Sequence, residues 1–284
     1  MTSNRRDFLK LAAAAPAVLL AAKSEMLFAS PLGLPIGCQT WPVRHRIAQD
    51  FPGTLRLLKR AGFQSIELCS PWGYAHLGFG ALQKYSGRQL HRIIADAGLQ
   101  CVSSHFQISE LRNDQPARLE WAHAMGLTQM MVPSLEGPRN PTQDQVRRVA
   151  DEYNQIAARA HRAGIQQGLH NEEWVDGKTS DGRLIYDLLF ADLDPNLVKF
   201  QFQISSIAYG FHAVQYFRRY PGRFISMHLQ GWSAKTRQIV PLGQGTLNWP
   251  AIFQAAGPAG VKNYFLEMKL PQMEASLPYL RRFH

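Results

Sequence analysis

One short step recurs along this chain and narrows what it can fold into: a small or apolar residue, a glycine, then another apolar residue. It stands at Ala61-Gly62-Phe63, Ala97-Gly98-Leu99, Met125-Gly126-Leu127, Ala163-Gly164-Ile165 and Ala259-Gly260-Val261. Glycine enters the left-handed conformation without steric cost, so it ends a helix and passes the chain through a short loop to the next element. The run after each such glycine is short and apolar, as a buried strand is; the run before it is longer and amphipathic. Strands are expected at 34–41, 64–69, 99–105, 128–133, 165–171, 197–203, 223–229 and 263–268. Helices are expected at 51–61, 87–97, 115–125, 142–163, 182–190, 211–219, 249–256 and 273–282, with Thr142 as an N-cap. Alternation of strand and helix demands right-handed crossovers and a parallel sheet. Eight units are what a closed (β/α)8 barrel, an α/β fold in one domain, requires. An open doubly wound sheet would carry a glycine-rich phosphate loop after its first strand. That place holds Trp41-Pro42-Val43-Arg44-His45 instead.

At 284 residues, 45% of them hydrophobic, the chain can bury a sizeable core without cross-links. Its three cysteines, Cys38, Cys69 and Cys101, are odd in number and form no Cys-x-x-Cys pair. That argues against a disulfide framework and a cysteine zinc site. Buried thiols near strand ends are expected, and one disulfide is compatible with an exported protein. The formal charge of +10 is scattered in pairs such as Arg147-Arg148 and Arg218-Arg219. With no long basic run, this reads as a solvated surface rather than a nucleic-acid stripe.

Residues 1–29 have a different character. Asn4-Arg5-Arg6-Asp7-Phe8-Leu9-Lys10 precedes an apolar stretch from Leu11 to Ala22. A charged segment followed by an apolar run too short to span a bilayer is a signal-peptide pattern. The arginine pair with Phe-Leu-Lys behind it resembles a twin-arginine (Tat) signal. The expectation is a Tat-type signal peptide over 1–29, cleaved or kept as an anchor, with the Tat translocase as a partner during export and a periplasmic or exported destination. The barrel is expected over 30–284.

In such barrels the site lies at the C-terminal ends of the strands. Polar residues stand there on six strands: Glu67; Ser103-Ser104-His105; His170-Asn171-Glu172-Glu173; Gln201 and Gln203; His228 and Gln230; Glu267 and Lys269. A lone buried polar residue is usually a satisfied core group, but six strands carrying them at one end define a pocket. Trp41, Trp72, Tyr74, Phe106, Trp174 and Trp232 fall in the loops that would line its mouth, where aromatic faces stack on sugar rings.

Several segments resemble the xylose isomerase-like sugar phosphate isomerase/epimerase family. They include Gln39-Thr40-Trp41-Pro42-Val43-Arg44, Asp50-Phe51-Pro52-Gly53-Thr54-Leu55, Ser103-Ser104-His105, Leu169-His170-Asn171, Asp194-Pro195-Asn196-Leu197-Val198, Tyr220-Pro221-Gly222-Arg223-Phe224, His228, Gly243-Gln244-Gly245 and Tyr264-Phe265-Leu266-Glu267. The resemblance spans about 34–280. It implies a divalent cation (Mn, Mg, Co or Zn) that polarises a sugar oxygen while carboxylates move a proton at the adjacent carbon. Carried over by position, His170, His228 and Glu267 are the expected metal ligands. Glu267 is the expected base, with Glu172 and Lys269 as the further expected catalytic residues. His105, Trp41, Glu67, Gln203 and Trp232 are the expected substrate contacts. The chain departs from the pattern at Gln203, where the family has Asp; at Glu172, where it has a second His; at Gln230-Gly231, where Lys-Asp is frequent; and at Lys269, where an acid is common. Residues 267 and 269 share a face of an extended strand, so Lys269 is expected beside Glu267, opposing a cation and able to act itself as an electrophile or anion clamp.

The reading is a sugar isomerase or epimerase working by proton transfer next to a carbonyl, on a free sugar, glycoside or keto-sugar. A 3-keto-glycoside lyase or hydrolase, and a non-catalytic carbohydrate-binding barrel with a degenerate metal site, are the alternatives. A DNA-repair nuclease on this fold needs a histidine-rich three-metal cluster, for which the strand-end histidines are too few.

Overall fold

The computed structural model describes residues 30–283; the expected signal segment lies outside them. Strands β1 (Ile36–Gln39), β2 (Ser65–Cys69), β3 (Gln100–His105), β4 (Gln129–Val132), β5 (Gln166–His170), β6 (Val198–Gln203), β7 (Phe224–Leu229) and β10 (Asn263–Leu266) pair in parallel and close into a barrel. A short antiparallel hairpin, β8 (Gly231–Ser233) with β9 (Gln238–Val240), is inserted before β10. Around the barrel run α2 (Phe51–Ala61), α3 (Gly87–Asp96), α4 (Ile108–Met125), α5 (Gln143–Arg162), α6 (Ile185–Asp192), α7 (Ala213–Arg219), α8 (Trp249–Ala259) and α9 (Leu270–Leu280), with α1 (Arg44–Gln49) as an extra turn after β1. All eight expected strand–helix units are present. No helix among the described residues is long and apolar enough to cross a membrane.

The local causes match the sequence logic. Gly62, Gly126 and Gly260 cap their helices at φ 112°, 72° and 100°. Thr142 begins α5 with a reciprocal capping box to Gln145. Three boundaries differ from expectation. The first strand stops at Gln39, because Pro42 begins a tight turn at Trp41–Val43. The fourth helix starts at Ile108 rather than 115 and breaks at Asp114 (φ −151°, ψ 48°), two residues before Pro116. The last strand stops at Leu266, and Lys269 becomes the N-cap of α9 with a proline in its first turn.

Two register shifts decide which side chains enter the barrel. Pairing runs from Ser65↔Gln100 to Glu67↔Ser103, and from Phe200↔Phe224 to Gln201↔Ser226. One extra residue is thus accommodated in β3 and one in β7. Phe200 faces outward and stacks on Phe190 of α6 at 3.9 Å. Its neighbour Gln201 points inward and donates to Glu67 at 2.9 Å.

Candidate functional site

The barrel centre holds a carboxylate instead of a hydrocarbon layer. Glu67 on β2 is fully buried. Ser103 (2.6 Å) and Gln201 (2.9 Å) donate to its Oε1. Gln39 (2.9 Å) and His228 Nε2 (2.6 Å) donate to its Oε2, and His105 Nε2 lies 3.2 Å from the same oxygen. His105 Nε2 also donates to Gln201 Oε1 at 2.8 Å. Burial alone would raise the Glu67 carboxyl, but the His105 and His228 charges outweigh it and hold it well below the ordinary range. Burial would likewise lower His228; Glu267 and Glu67 at its two nitrogens overcome that and push it up to about 10.

Above this layer stands Glu267. His228 Nδ1 (3.0 Å), Gln203 Nε2 (2.8 Å) and Gln230 Nε2 (3.2 Å) all donate to its Oε2. Its Oε1 has no donor among the described residues, and Glu267 lines a cavity of about 240 Å³ at the C-terminal strand ends. His105, Trp41, Tyr74 and Glu172 line the same cavity. Burial would raise Glu267, but the adjacent His228 cation keeps it low, so it stands ionised beside an imidazolium.

His170 is the third imidazole. Its Nδ1 donates to the Gln201 carbonyl at 3.1 Å, which leaves Nε2 with a lone pair. That Nε2 is buried without a hydrogen-bond partner, 3.4 Å from Glu172 Oε1. Burial and then the His228 charge lower His170, which favours its neutral form. A lone pair facing a carboxylate with no proton donor between them suits a cation. The ligand atoms of His170, His228 and Glu267 all lie within 4.8 Å of one another. Two nitrogens and a carboxylate fit Zn, Mn or Co, with release of the His228 proton as the condition for binding. The buried Gln203 Oε1, also without a partner, is a further neutral oxygen close to Glu267.

The structure brings His170, His228, Glu267, Glu172, His105 and Gln203 to one end of the barrel, and Trp41 to the cavity wall. Three expectations need correction. Lys269 is exposed and lies past the strand end, because the chain leaves the extended conformation after Leu266 and the alternation that would pair it with Glu267 is lost. Glu67 does not reach the cavity; it is enclosed by its own donors. Trp232 is half-buried on the β8–β9 hairpin and does not line the cavity beside Glu267. Of the other aromatics only Tyr74 lines the cavity: Phe106 is core, Trp72 lies under the Arg118 guanidinium at 3.7 Å, and Trp174 donates to the Pro138 carbonyl. Cys38 and Cys69 are buried and Cys101 half-buried, all as free thiols. Sequence reasoning missed Gln39 and Ser226, which complete the buried network, and Asp176, whose carboxyl burial pushes up to about 7. Only strand parity could have marked the first two.

A family model described as "Xylose isomerase-like TIM barrel" matches residues 55–282. No curated protein matches the sequence. Among solved structures, the chain is similar to a sugar phosphate isomerase/epimerase from Parabacteroides distasonis, with 23% identity and a TM-score of 0.73 over 87% of this chain and 93% of that one. It is also similar to a probable 3-DHS dehydratase from Bacillus anthracis, with 13% identity and a TM-score of 0.67 over 87% and 98%. A third similar structure is the IolI protein with a bound zinc atom, at 12% identity and a TM-score of 0.61 over 88% and 95%. These likenesses extend the barrel across nearly the whole described chain, and with the matching model they place it: the protein belongs to the xylose isomerase-like TIM barrel family.

Proposed function

We propose that the protein is an enzyme that moves a proton at the carbon next to a carbonyl of a sugar or keto-sugar, in an isomerisation or epimerisation. One observation carries this. Glu267 presents an ionised carboxylate to the cavity with one oxygen tied by three donors and the other undonated. A base held this way has a fixed direction and a free lone pair. Glu172 lines the same cavity and supplies the second carboxylate for proton return. His105, which also lines it, is a cationic donor for the oxygen on which charge develops, since Glu67 outweighs the burial that would lower it. His170, His228 and Glu267 would hold a divalent cation, which when bound polarises the substrate oxygen.

Lyase or hydrolase chemistry on a 3-keto-glycoside begins with the same proton abstraction, and the carboxylate pair Glu172 and Glu267 on one cavity supports it equally. Export by the Tat route, which Arg5-Arg6 and the apolar run behind them support, favours an unphosphorylated sugar.

The test is exchange of solvent deuterium. Free keto-sugars such as D-fructose are incubated with the protein in D2O and their carbon-bound protons followed by NMR. Exchange next to the carbonyl is expected, and Glu267→Gln should slow it by about 100-fold or more. Absence of exchange across a panel of keto-sugars, or exchange that survives in the variant, overturns the assignment and leaves a carbohydrate-binding barrel.

A further inference from the structure

The mouth of the barrel has two lobes. Beside the cavity that holds Glu267 lies a second of about 300 Å³, lined by Gln203, Ser206, Gln230, Asp176 and Tyr209 among others. Glu172 and Glu173 line both, so they form the ridge between them. Glu173 adopts φ 53°, the left-handed region, which costs a residue with a Cβ free energy and persists where the surroundings impose it. That backbone kink follows directly after Glu172, whose carboxylate lies 3.4 Å from His170. The ridge is therefore built into the end of β5.

The two lobes differ in chemistry. The first carries the proposed base and the His105 imidazole. The second carries amides, two serine hydroxyls and a carboxyl, with no base of its own beyond the shared ridge and Asp176. It also carries Tyr209, the most exposed large hydrophobic residue among those described, at 76%. Tyr209 ends a tight helical turn (Ile204–Tyr209) that follows β6. An exposed aromatic face surrounded by planar amides and serine hydroxyls recognises a pyranose: the ring stacks on its C–H face and the polar groups meet its hydroxyls. A flat apolar group would leave Gln203 Oε1, buried without a partner among the described residues, still unpaired.

We propose that the substrate is a two-ring sugar, with the reacting ring in the Glu267 lobe, the second ring on Tyr209, and the bond between them crossing the Glu172–Glu173 ridge. This rests on the sugar reading above and deepens it. The second lobe fixes which end of the substrate reacts, and Glu172 lies under the linking oxygen.

The test is titration calorimetry of the full chain with glucose and with the disaccharides cellobiose, maltose, lactose and trehalose, on the wild type and Tyr209→Ala. At least one disaccharide is expected to bind tenfold or more tightly than glucose. Tyr209→Ala should remove that gain and bring the disaccharide to the affinity of glucose in the same variant. Equal affinity for glucose and every disaccharide overturns the proposal, as does a gain that survives in the variant. If no sugar binds, the proposal falls, and the deuterium-exchange experiment decides separately whether the sugar reading falls with it. p-Nitrophenyl β-glucoside is the last arm: should it match the best disaccharide in its dependence on Tyr209, the lobe takes an aromatic aglycone and the second-ring assignment is wrong.

Discussion

Glu67 illustrates how a charged residue can sit at the centre of a barrel without lining the cavity above it. Its two oxygens meet Ser103, Gln201, Gln39, His228 and His105, drawn from β1, β2's neighbour β3, β6 and β7. Removing one member of a buried charge network leaves the others unpaired, at a cost of about 3–5 kcal/mol. Glu67→Gln should therefore lower stability by about 3 kcal/mol, read as a fall of several degrees in the melting temperature. The pH dependence has a defined sign. Glu67 is depressed, so its contribution is present above pH ~4.5 and is lost as pH falls through its folded value. His228 is raised to about 10, so its contribution is full below pH ~6.5 and is lost as pH rises towards 10. The gap between wild type and variant is expected to be widest near pH 5–6.5 and to narrow by pH 9–10. A gap that widens into the alkaline range would show that the His228–Glu67 pair is not the source. From sequence Glu67 looks like a substrate contact, since it ends a barrel strand as site residues do. What hid its role was depth: only the register of β2 against β3 and the partners across the barrel place it beneath the cavity floor.

At the scale of elements, the glycine-terminated helices were legible because the constraint is local: a left-handed residue has one inexpensive solution. The same glycines are not equivalent. A Cβ at Gly260, at φ 100°, would lie 2.7 Å from the Phe224 carbonyl oxygen, whereas a Cβ at Gly164, at φ 73°, meets nothing within 4 Å. Gly164→Ala should cost about 1–2 kcal/mol for the backbone alone. Gly260→Ala should cost more, because the backbone of β7 would have to yield. Urea midpoints of the two variants measure this, and an equal loss would refute the steric account. Elements set by distant contacts escaped sequence reasoning. The β8–β9 hairpin is three residues on each side, too short for alternation to show. Lys269 was misplaced for a related reason: period-two parity holds only while the strand lasts, and β10 ends at Leu266.

For the molecule as a whole, closure of the sheet brings candidate ligands from β5, β7 and the end of β10 together although His170 and Glu267 lie 97 positions apart in sequence. The barrel was legible as a count of repeating units; the mutual distances of these side chains were not, because they depend on tilt and register around the full circle. A cation seat made by closure makes a stoichiometric prediction. Elemental analysis after reconstitution with Mn, Mg, Co or Zn should find about one equivalent in the wild type and a marked fall in Glu267→Gln. No metal in either protein would sink the cation and leave the proposed polarisation to His105, the imidazole that lines the cavity.

The two register shifts carry a consequence for heredity. Ile225 is the extra residue that lets Phe224 face the helices while Ser226 and His228 face the barrel axis. Losing its single codon would straighten the bulge and leave Ser226 and His228 facing the axis, whereas losing the codon of Met227 would turn everything after it through half a pleat and present His228 to the helix layer. Lineages of this protein should thus tolerate a deletion at position 225 far better than one at position 227, a pattern of descent set by parity rather than by chemistry.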